Sequence, residues 1–276
     1  MRPLPAADIC RAVGGTFLQT GGGTVTGVTS DSRQIASGDL FIPLVGARFD
    51  GHDYIDTALS AGAVGCLCSR QPEALLPGKF YIQVQDTTLA LGALAAWYRS
   101  LYDIPVVQVT GSAGKTTTKE MIASVLSRHF RTLKTQANLN NHIGTPQTLL
   151  RLEPCHQAAV IETGMDHFGQ IRYMGSLVQP TIAVITNVGD AHIENLGGPS
   201  ARFSTTCAPA AWRCCAATMN CSTAWTCPLR PSAAAGANTA TSGSRTSSAG
   251  ASTAWTAPSP PPAAATGCPS PPPGTT

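Results

Sequence analysis

Residues 199–276 contain no Asp, Glu, Lys, His, Gln, Ile, Val or Tyr, and Leu229 is their single leucine. So little aliphatic surface does not offset the entropy of ordering a chain, which excludes a packed core built from this segment alone. Its six cysteines, Cys207, Cys214, Cys215, Cys221, Cys227 and Cys268, include no C-x-x-C pair and have no histidine beside them, which argues against a zinc module. The chain as a whole lacks other things. No apolar run is long enough to span a membrane. The net charge of +3 is not gathered into a basic run, so nothing points to nucleic acid. The opening "MRPLPAADICRAVGG" has no apolar stretch of the signal-peptide kind, and a cytoplasmic protein with reduced thiols is expected.

What is present lies ahead of residue 199. All 15 acidic residues fall between Asp8 and Glu194, and all 6 histidines and every lysine also precede residue 199. The two parts are therefore read separately. In the first, strand and helix patterns alternate, which predicts an α/β fold. "AADICRAVGG" reads as a helix with Ile9 and Val13 on one face, and "LFIPLVG" as a buried strand. "DGHDYIDTALS" reads as a helix turning Tyr54, Ala58 and Leu59 inward. The strands "AVGCLCS" and "KFYIQVQD" follow, with Cys66 and Cys68 as small core residues. A helix "TTLALGALAAWYRSLY" is capped by Thr87 or Thr88. This first domain is expected over residues 1–103. A second α/β unit, residues 104–198, reads as the strands "PVVQVTG", "RTLKTQ", "QAAVIETG" and "TIAVITNVG" with helices between them. Such short continuous apolar runs suit parallel strands buried on both faces.

The turn "TGSAGKTT" joins a buried strand to a helix. Glycines let backbone N–H groups close around phosphate oxygens, and a helix N-terminus favours negative charge. Lys115 would neutralise the β- and γ-phosphates of ATP, and the Thr116 hydroxyl would ligate Mg²⁺. The loop, Gly111, Ser112, Ala113, Gly114, Lys115, Thr116 and Thr117, is shorter than the full Walker pattern, whose first glycine would fall on Val109. Glu162 ends a buried strand, where parallel sheets bind ligands, and either holds Mg²⁺ or is a solvated acid. His192 follows the next strand and is a ligand or a structural hydrogen-bonder. Asn138, Asn140 and Asn141 crowd one loop, as base-edge partners or as turn formers. "TSDSR", Thr29 to Arg33, offers hydroxyls and a guanidinium to an anion, or simply makes a loop.

Taken together, five segments resemble the Mur ligases, the ATP-dependent amide ligases of peptidoglycan synthesis. They are "SDSRQIASGDLFIPLVGARFDGHDYIDTALSAGAVGCL", "VTGSAGKTTTKEMIASVL", "QANLNNHIGTPQTLL", "IETGMDHFGQI" and "AVITNVGDAHIENLGG", in the family's order, over about residues 10–198. The resemblance implies a UDP-substrate domain followed by a P-loop-type ATPase domain. "RFDGHDYI" and "AHIENLGG" favour the member that joins D-alanyl-D-alanine to UDP-N-acetylmuramoyl-tripeptide over the sibling that adds the third peptide residue. It implies that ATP phosphorylates the tripeptide carboxylate and that the amine then displaces phosphate from the acyl phosphate. Lys115, Thr116, Glu162 and His192 match the family's phosphate and magnesium ligands. Asn138 and Asn141 match its adenine-side loop, and Ser30, Ser32 and Arg33 its uridine-nucleotide loop. A monomer is expected. Asp166 departs from the asparagine frequent in the family.

The resemblance stops after Gly198. The family's modified lysine has no counterpart beyond Lys134, and the family's third domain is missing, so the second unit is expected to be incomplete and the chain inactive as printed. Residues 199–276 read as a low-complexity, disordered tail, and an out-of-frame translation explains their composition better than native disorder. If the original frame begins one base earlier, Met219-Asn220 forces Glu, Asn220-Cys221 forces Leu, and both Trp225-Thr226 and Trp255-Thr256 force Asp. Two further readings stay open: a P-loop nucleotide switch without ligase activity, and a non-catalytic fragment that binds the UDP substrate.

Overall fold

The computed structural model describes residues 1–188 and 213–216. In chain order the first part comprises β1 (Leu4–Pro5), α1 (Ala6–Ala12), β2 (Thr16–Gln19), β3 (Thr24–Val25), β4 (Gly27–Thr29), β5 (Asp39–Phe41), α2 (Ile55–Ser60), β6 (Gly65–Cys68), β7 (Phe80–Gln83) and α3 (Thr87–Ser100). β1 and β3 form a small antiparallel pair. The first five-stranded sheet has the order β2-β7-β6-β5-β4; it is parallel from β4 to β7 and antiparallel at β2.

The second part comprises β8 (Val106–Thr110), α4 (Lys115–Leu126), β9 (Thr132–Lys134), α5 (Gly144–Leu149), β10 (Ala158–Glu162), α6 (Gln170–Val178), β11 (Ile182–Ile185) and β12 (Arg213–Ala216). Its sheet, β12-β11-β8-β10-β9, is parallel throughout. β8 and β10 are buried along their whole length, as expected of central parallel strands covered on both faces. The predicted α/β class with a parallel-sheet second unit is the class observed.

Some local expectations need correction. Asp86, not Thr87 or Thr88, caps α3: its carboxylate accepts the N–H groups of Thr88 and Leu89, while Thr87 is already helical and buried. Tyr54 is exposed, because Gly51–Tyr54 is a separate 3₁₀ turn; Ile55, Ala58 and Leu59 form the buried face of α2. "LFIPLVG" is ordered as a strand only to Phe41. The strand β2 was not expected at all. In residues 199–276, Arg213–Ala216 extends the parallel sheet by pairing with β11. An edge strand presents unpaired N–H and C=O groups, and backbone pairing makes no demand on the side chains that supply it. The rest of that segment, and the out-of-frame reading with it, lies outside the described residues.

One apolar cluster runs from the first sheet through α3 into the second, taking in Leu40, Leu67, Ile82, Leu94, Leu149 and Val178. Two polar ties reinforce it. The Arg99 guanidinium, buried at the end of α3, donates to the carbonyls of Val178 (3.1 Å), Tyr102 (2.6 Å), Ile104 (3.4 Å) and Gln179 (3.3 Å). The Tyr98 hydroxyl accepts the Arg2 N–H at 2.8 Å and donates to the Leu152 carbonyl at 2.8 Å. Cys66 and Cys68 are core residues, as the sequence predicts.

Candidate functional site

β8 ends at Thr110, and its neighbours on either side are β10 and β11. The chain then turns through Gly111 to Gly114 and enters α4 at Lys115. Gly111 has φ +141° and Gly114 φ +78°, both in the region that favours glycine. A Cβ on Gly111 would lie 2.1 Å from Thr186 Oγ1, so that position has no room for a side chain as well as no permitted backbone. The loop therefore has the shape the sequence predicts, with its N–H groups beside the N-terminus of a 12-residue helix.

Glu162 closes β10 and lies opposite Val109 in the register, which brings it alongside the start of α4. Its carboxylate is buried at 1% exposure. Oε1 accepts from Thr116 Oγ1 at 3.2 Å and from Asn140 Nδ2 at 2.9 Å. Oε2 accepts no hydrogen bond, and the Lys119 ammonium faces it at 3.5 Å. A buried carboxylate oxygen without a donor, next to a threonine hydroxyl, suits a hard cation that takes oxygen ligands. The residues present thus fit the expected Mg²⁺, which Thr116 and Glu162 would hold. His192, the third expected ligand, lies outside the described residues.

The loop N–H groups are engaged by the chain itself. Ser112 N–H donates to the Asn187 carbonyl at 3.1 Å, and Ala113 N–H donates to Asn187 Oδ1 at 2.8 Å. Thr186 Oγ1 donates to the Ala113 carbonyl at 2.6 Å. Lys115 Nζ folds back onto the carbonyls of Gly111 (2.8 Å) and Ser112 (3.5 Å). The cavity left beside the loop is about 10 Å³, room for about one water. The Asn187 oxygens stand where anionic oxygens would accept the same N–H groups.

The asparagine loop divides its labour. Asn140 is the residue that reaches Glu162, whereas Asn141 Oδ1 accepts from the N–H groups of Ile143 (3.1 Å) and Gly144 (2.7 Å) and so opens α5. Asn138 is exposed, and its carbonyl accepts the Asn140 N–H at 2.8 Å.

In the first domain Ser30 and Ser32 flank Asp31, and Arg33 is clasped by Asp31 in a two-pronged fork, Nε to Oδ1 and Nη2 to Oδ2, each 2.8 Å. That fork and the Arg33 N–H hold the Asp31 carboxyl down at about 2. Ser30 Oγ accepts from Gln147 Nε2 of α5 at 3.0 Å, joining the two sheets at this point. Beside it opens a cleft of about 690 Å³, lined by Thr29, Gln34 and Asp39 on one side and Gln136, Gln147 and Arg151 on the other. Of the expected site residues, Lys115, Thr116 and Glu162 gather at the phosphate loop, whereas Ser30, Ser32 and Arg33 lie on the segment between Thr29 and Gln34, the two residues of that segment that line the cleft. Asp166 pairs with His167 at 2.9 Å.

Sequence reasoning missed Lys119, Thr186 and Asn187. Lys119 did leave a signal. It occupies the first position of the stripe Lys119, Ile122, Ala123 and Leu126, whose i, i+3, i+4, i+7 spacing marks the inward face of α4. A lysine there is a buried charge in need of partners.

Residues 24–99 match the Mur ligase family, catalytic domain, and residues 109–203 match the Mur ligase middle domain. The UDP-N-acetylmuramoyl-tripeptide–D-alanyl-D-alanine ligase of Synechocystis is 45% identical over 183 residues, which cover 66% of this chain and 40% of that protein. The ligase of the same name from Escherichia coli is 47% identical over 174 residues, 63% of this chain and 38% of the relative. Among solved structures, MurF from Acinetobacter baumannii superposes with a TM-score of 0.70 at 38% identity, covering 75% of this chain and 46% of that one. MurF ligase from Thermotoga maritima, solved in complex with ADP, gives a TM-score of 0.60 at 32% identity, covering 65% and 41%. The chain thus spans less than half the length of these relatives.

Proposed function

Since this chain belongs to the Mur ligase family, we propose that it carries the UDP-substrate and ATP-binding domains of the ligase that joins D-alanyl-D-alanine to UDP-N-acetylmuramoyl-tripeptide. The observation that carries the reading is the convergence of Lys115, Thr116 and Glu162 at the end of one parallel sheet, with the Glu162 Oε2 left without a donor. The sequence similarity to relatives of that name selects the substrate pair. ATP and Mg²⁺ are the expected co-substrate and cofactor, and the cytoplasm the expected compartment.

In this reading the cleft beside Ser30 takes the UDP-linked tripeptide. Ser30 and Ser32 offer hydroxyl donors, and the outer edge of the Arg33 guanidinium stays free for an anion while Asp31 fixes its plane. At the phosphate loop, the N–H groups of Ser112 and Ala113 leave Asn187 and donate to phosphate oxygens, and Lys115 swings from the Gly111 carbonyl to the same oxygens. Thr116 and Glu162 would hold Mg²⁺, which would supply charge neutralisation at the transferring phosphoryl group. The tripeptide carboxylate attacks the γ-phosphorus and ADP leaves. The free amine of D-alanyl-D-alanine then attacks the acyl carbon, loses a proton and expels inorganic phosphate.

The test is phosphate release by the protein with Mg-ATP, in which UDP-N-acetylmuramoyl-tripeptide and D-alanyl-D-alanine are each left out in turn. Because this chain is expected to be inactive as printed, saturable binding of the UDP-linked tripeptide with little or no release is the expected result; release that needs both, with formation of the pentapeptide product, would correct the expectation of inactivity and assign the substrate pair. Release with the UDP-dipeptide and a free amino acid instead would assign the chain to the sibling ligase. Nucleotide hydrolysis indifferent to every muramoyl peptide would overturn the ligase reading.

A further inference from the structure

Lys119 lies one turn beyond Lys115 on α4, with its side chain 2% exposed. Its ammonium is 3.2 Å from Glu120 Oε1 and 3.5 Å from Glu162 Oε2. Glu120 is held on its other oxygen by Lys134. The four charges alternate, Lys134, Glu120, Lys119, Glu162, and the row ends on the oxygen that accepts no hydrogen bond. Stability alone explains this arrangement poorly. A buried ion pair roughly breaks even against its desolvation, and an apolar residue in the Lys119 position would continue the stripe of Ile122, Ala123 and Leu126. The ammonium is aimed at one particular oxygen. The other oxygen of the same carboxylate is fixed by Thr116 and Asn140, so rotation of the carboxylate is blocked.

We propose that Lys119 is a positioning residue: a built-in counter-ion that holds Glu162 Oε2 ready in the nucleotide-free protein and keeps its affinity for a free divalent cation low. The inference rests on the reading of Glu162 as a metal ligand. The physical argument is competition. A fixed positive charge at 3.5 Å satisfies the carboxylate electrostatically and repels a second cation approaching the same oxygen. A divalent cation arriving with a nucleotide brings compensating phosphate charge, whereas a free ion does not. The site is thereby biased against binding metal alone.

The test uses Mn²⁺ as the probe, without nucleotide, and follows free Mn²⁺ by electron paramagnetic resonance. Three changes are compared with the parent: Lys119→Met, Lys119→Gln and Glu162→Gln, with the last also placed in both lysine variants. Lys119→Gln keeps a hydrogen-bond donor between the two carboxylates and serves if the methionine variant fails to fold. Removal of the charge is expected to tighten Mn²⁺ binding by roughly tenfold or more, and Glu162→Gln to abolish the gain. A purely structural lysine predicts the opposite, equal or weaker binding in folded Lys119 variants. That outcome, with Glu162→Gln still lowering Mn²⁺ affinity, overturns the proposal and leaves the metal reading standing. If Glu162→Gln changes Mn²⁺ affinity in no background, the metal reading itself fails, and the proposal with it.

Discussion

Asp31 and Arg33 show how one side chain prepares another. Both oxygens of Asp31 are committed to the guanidinium, and Gln34 Nε2 adds a third donor at 3.1 Å. The folded carboxyl lies at about 2, below the ordinary value of about 3.9. Because the folded value is depressed, whatever the fork contributes is fully present above the ordinary carboxylate range and is lost as pH falls toward 2. Both groups are open to solvent, so this is a statement about orientation more than stability. A carboxyl-carbon NMR titration should find Asp31 titrating near 2, and Arg33→Ala should return it to the ordinary range; a value near 3.9 in the parent would contradict the fork. The sequence carried the residue types of this site well: the Gly-rich turn, the strand-end Glu162 and the hydroxyl-rich loop could all be read from their neighbours. It could not show which oxygen faces which donor. That is why Asn140 emerges as the partner of Glu162, while Asn141 serves a helix start.

Elements were legible where burial imposes a pattern and illegible where it does not. β8, β10 and β11 are largely apolar runs in the interior of a parallel sheet, and each was visible. β2 is an antiparallel edge strand, "TFLQ", half-exposed and set between Gly14-Gly15 and Gly21-Gly22-Gly23, with neither alternation nor a full apolar run to betray it. The start of α3 was misjudged because Asp86 and the two threonines are all good caps by type; only backbone geometry decides, and Asp86 is the extended residue. The junction between α3 and α6 depends on Arg99, whose charge is compensated by carbonyls alone in its hydrogen-bond set, and burial pushes its pKa down. Arg99→Met would fill similar volume but leave those carbonyls without donors. A loss of about 2–4 kcal/mol is expected in urea unfolding. A loss under about 0.5 kcal/mol would mean that water replaces the guanidinium and that the tie is unimportant.

At the scale of the whole molecule, two sheets share one apolar cluster and meet again at the Gln147–Ser30 contact, next to the 690 Å³ cleft. The phosphate loop and the cleft are thus carried on one packed body, with α5 linking them: its first residues follow the asparagine loop, and its Gln147 touches the serine loop. In the proposed reading such a link has a use, since the carboxylate of one substrate would have to meet the phosphate of the other. The central claim is that Lys115 and the N–H groups of the Gly111–Gly114 turn form a nucleotide site, in which phosphate oxygens would take the place of Asn187. The most direct measurement is calorimetric titration of Mg-ATP into the protein and into its Lys115→Ala variant. The account predicts saturable binding to the parent and a loss of roughly tenfold or more in affinity without the lysine, with the circular dichroism of the two proteins unchanged. Equal affinity in parent and variant, or no binding to a folded parent, would contradict it.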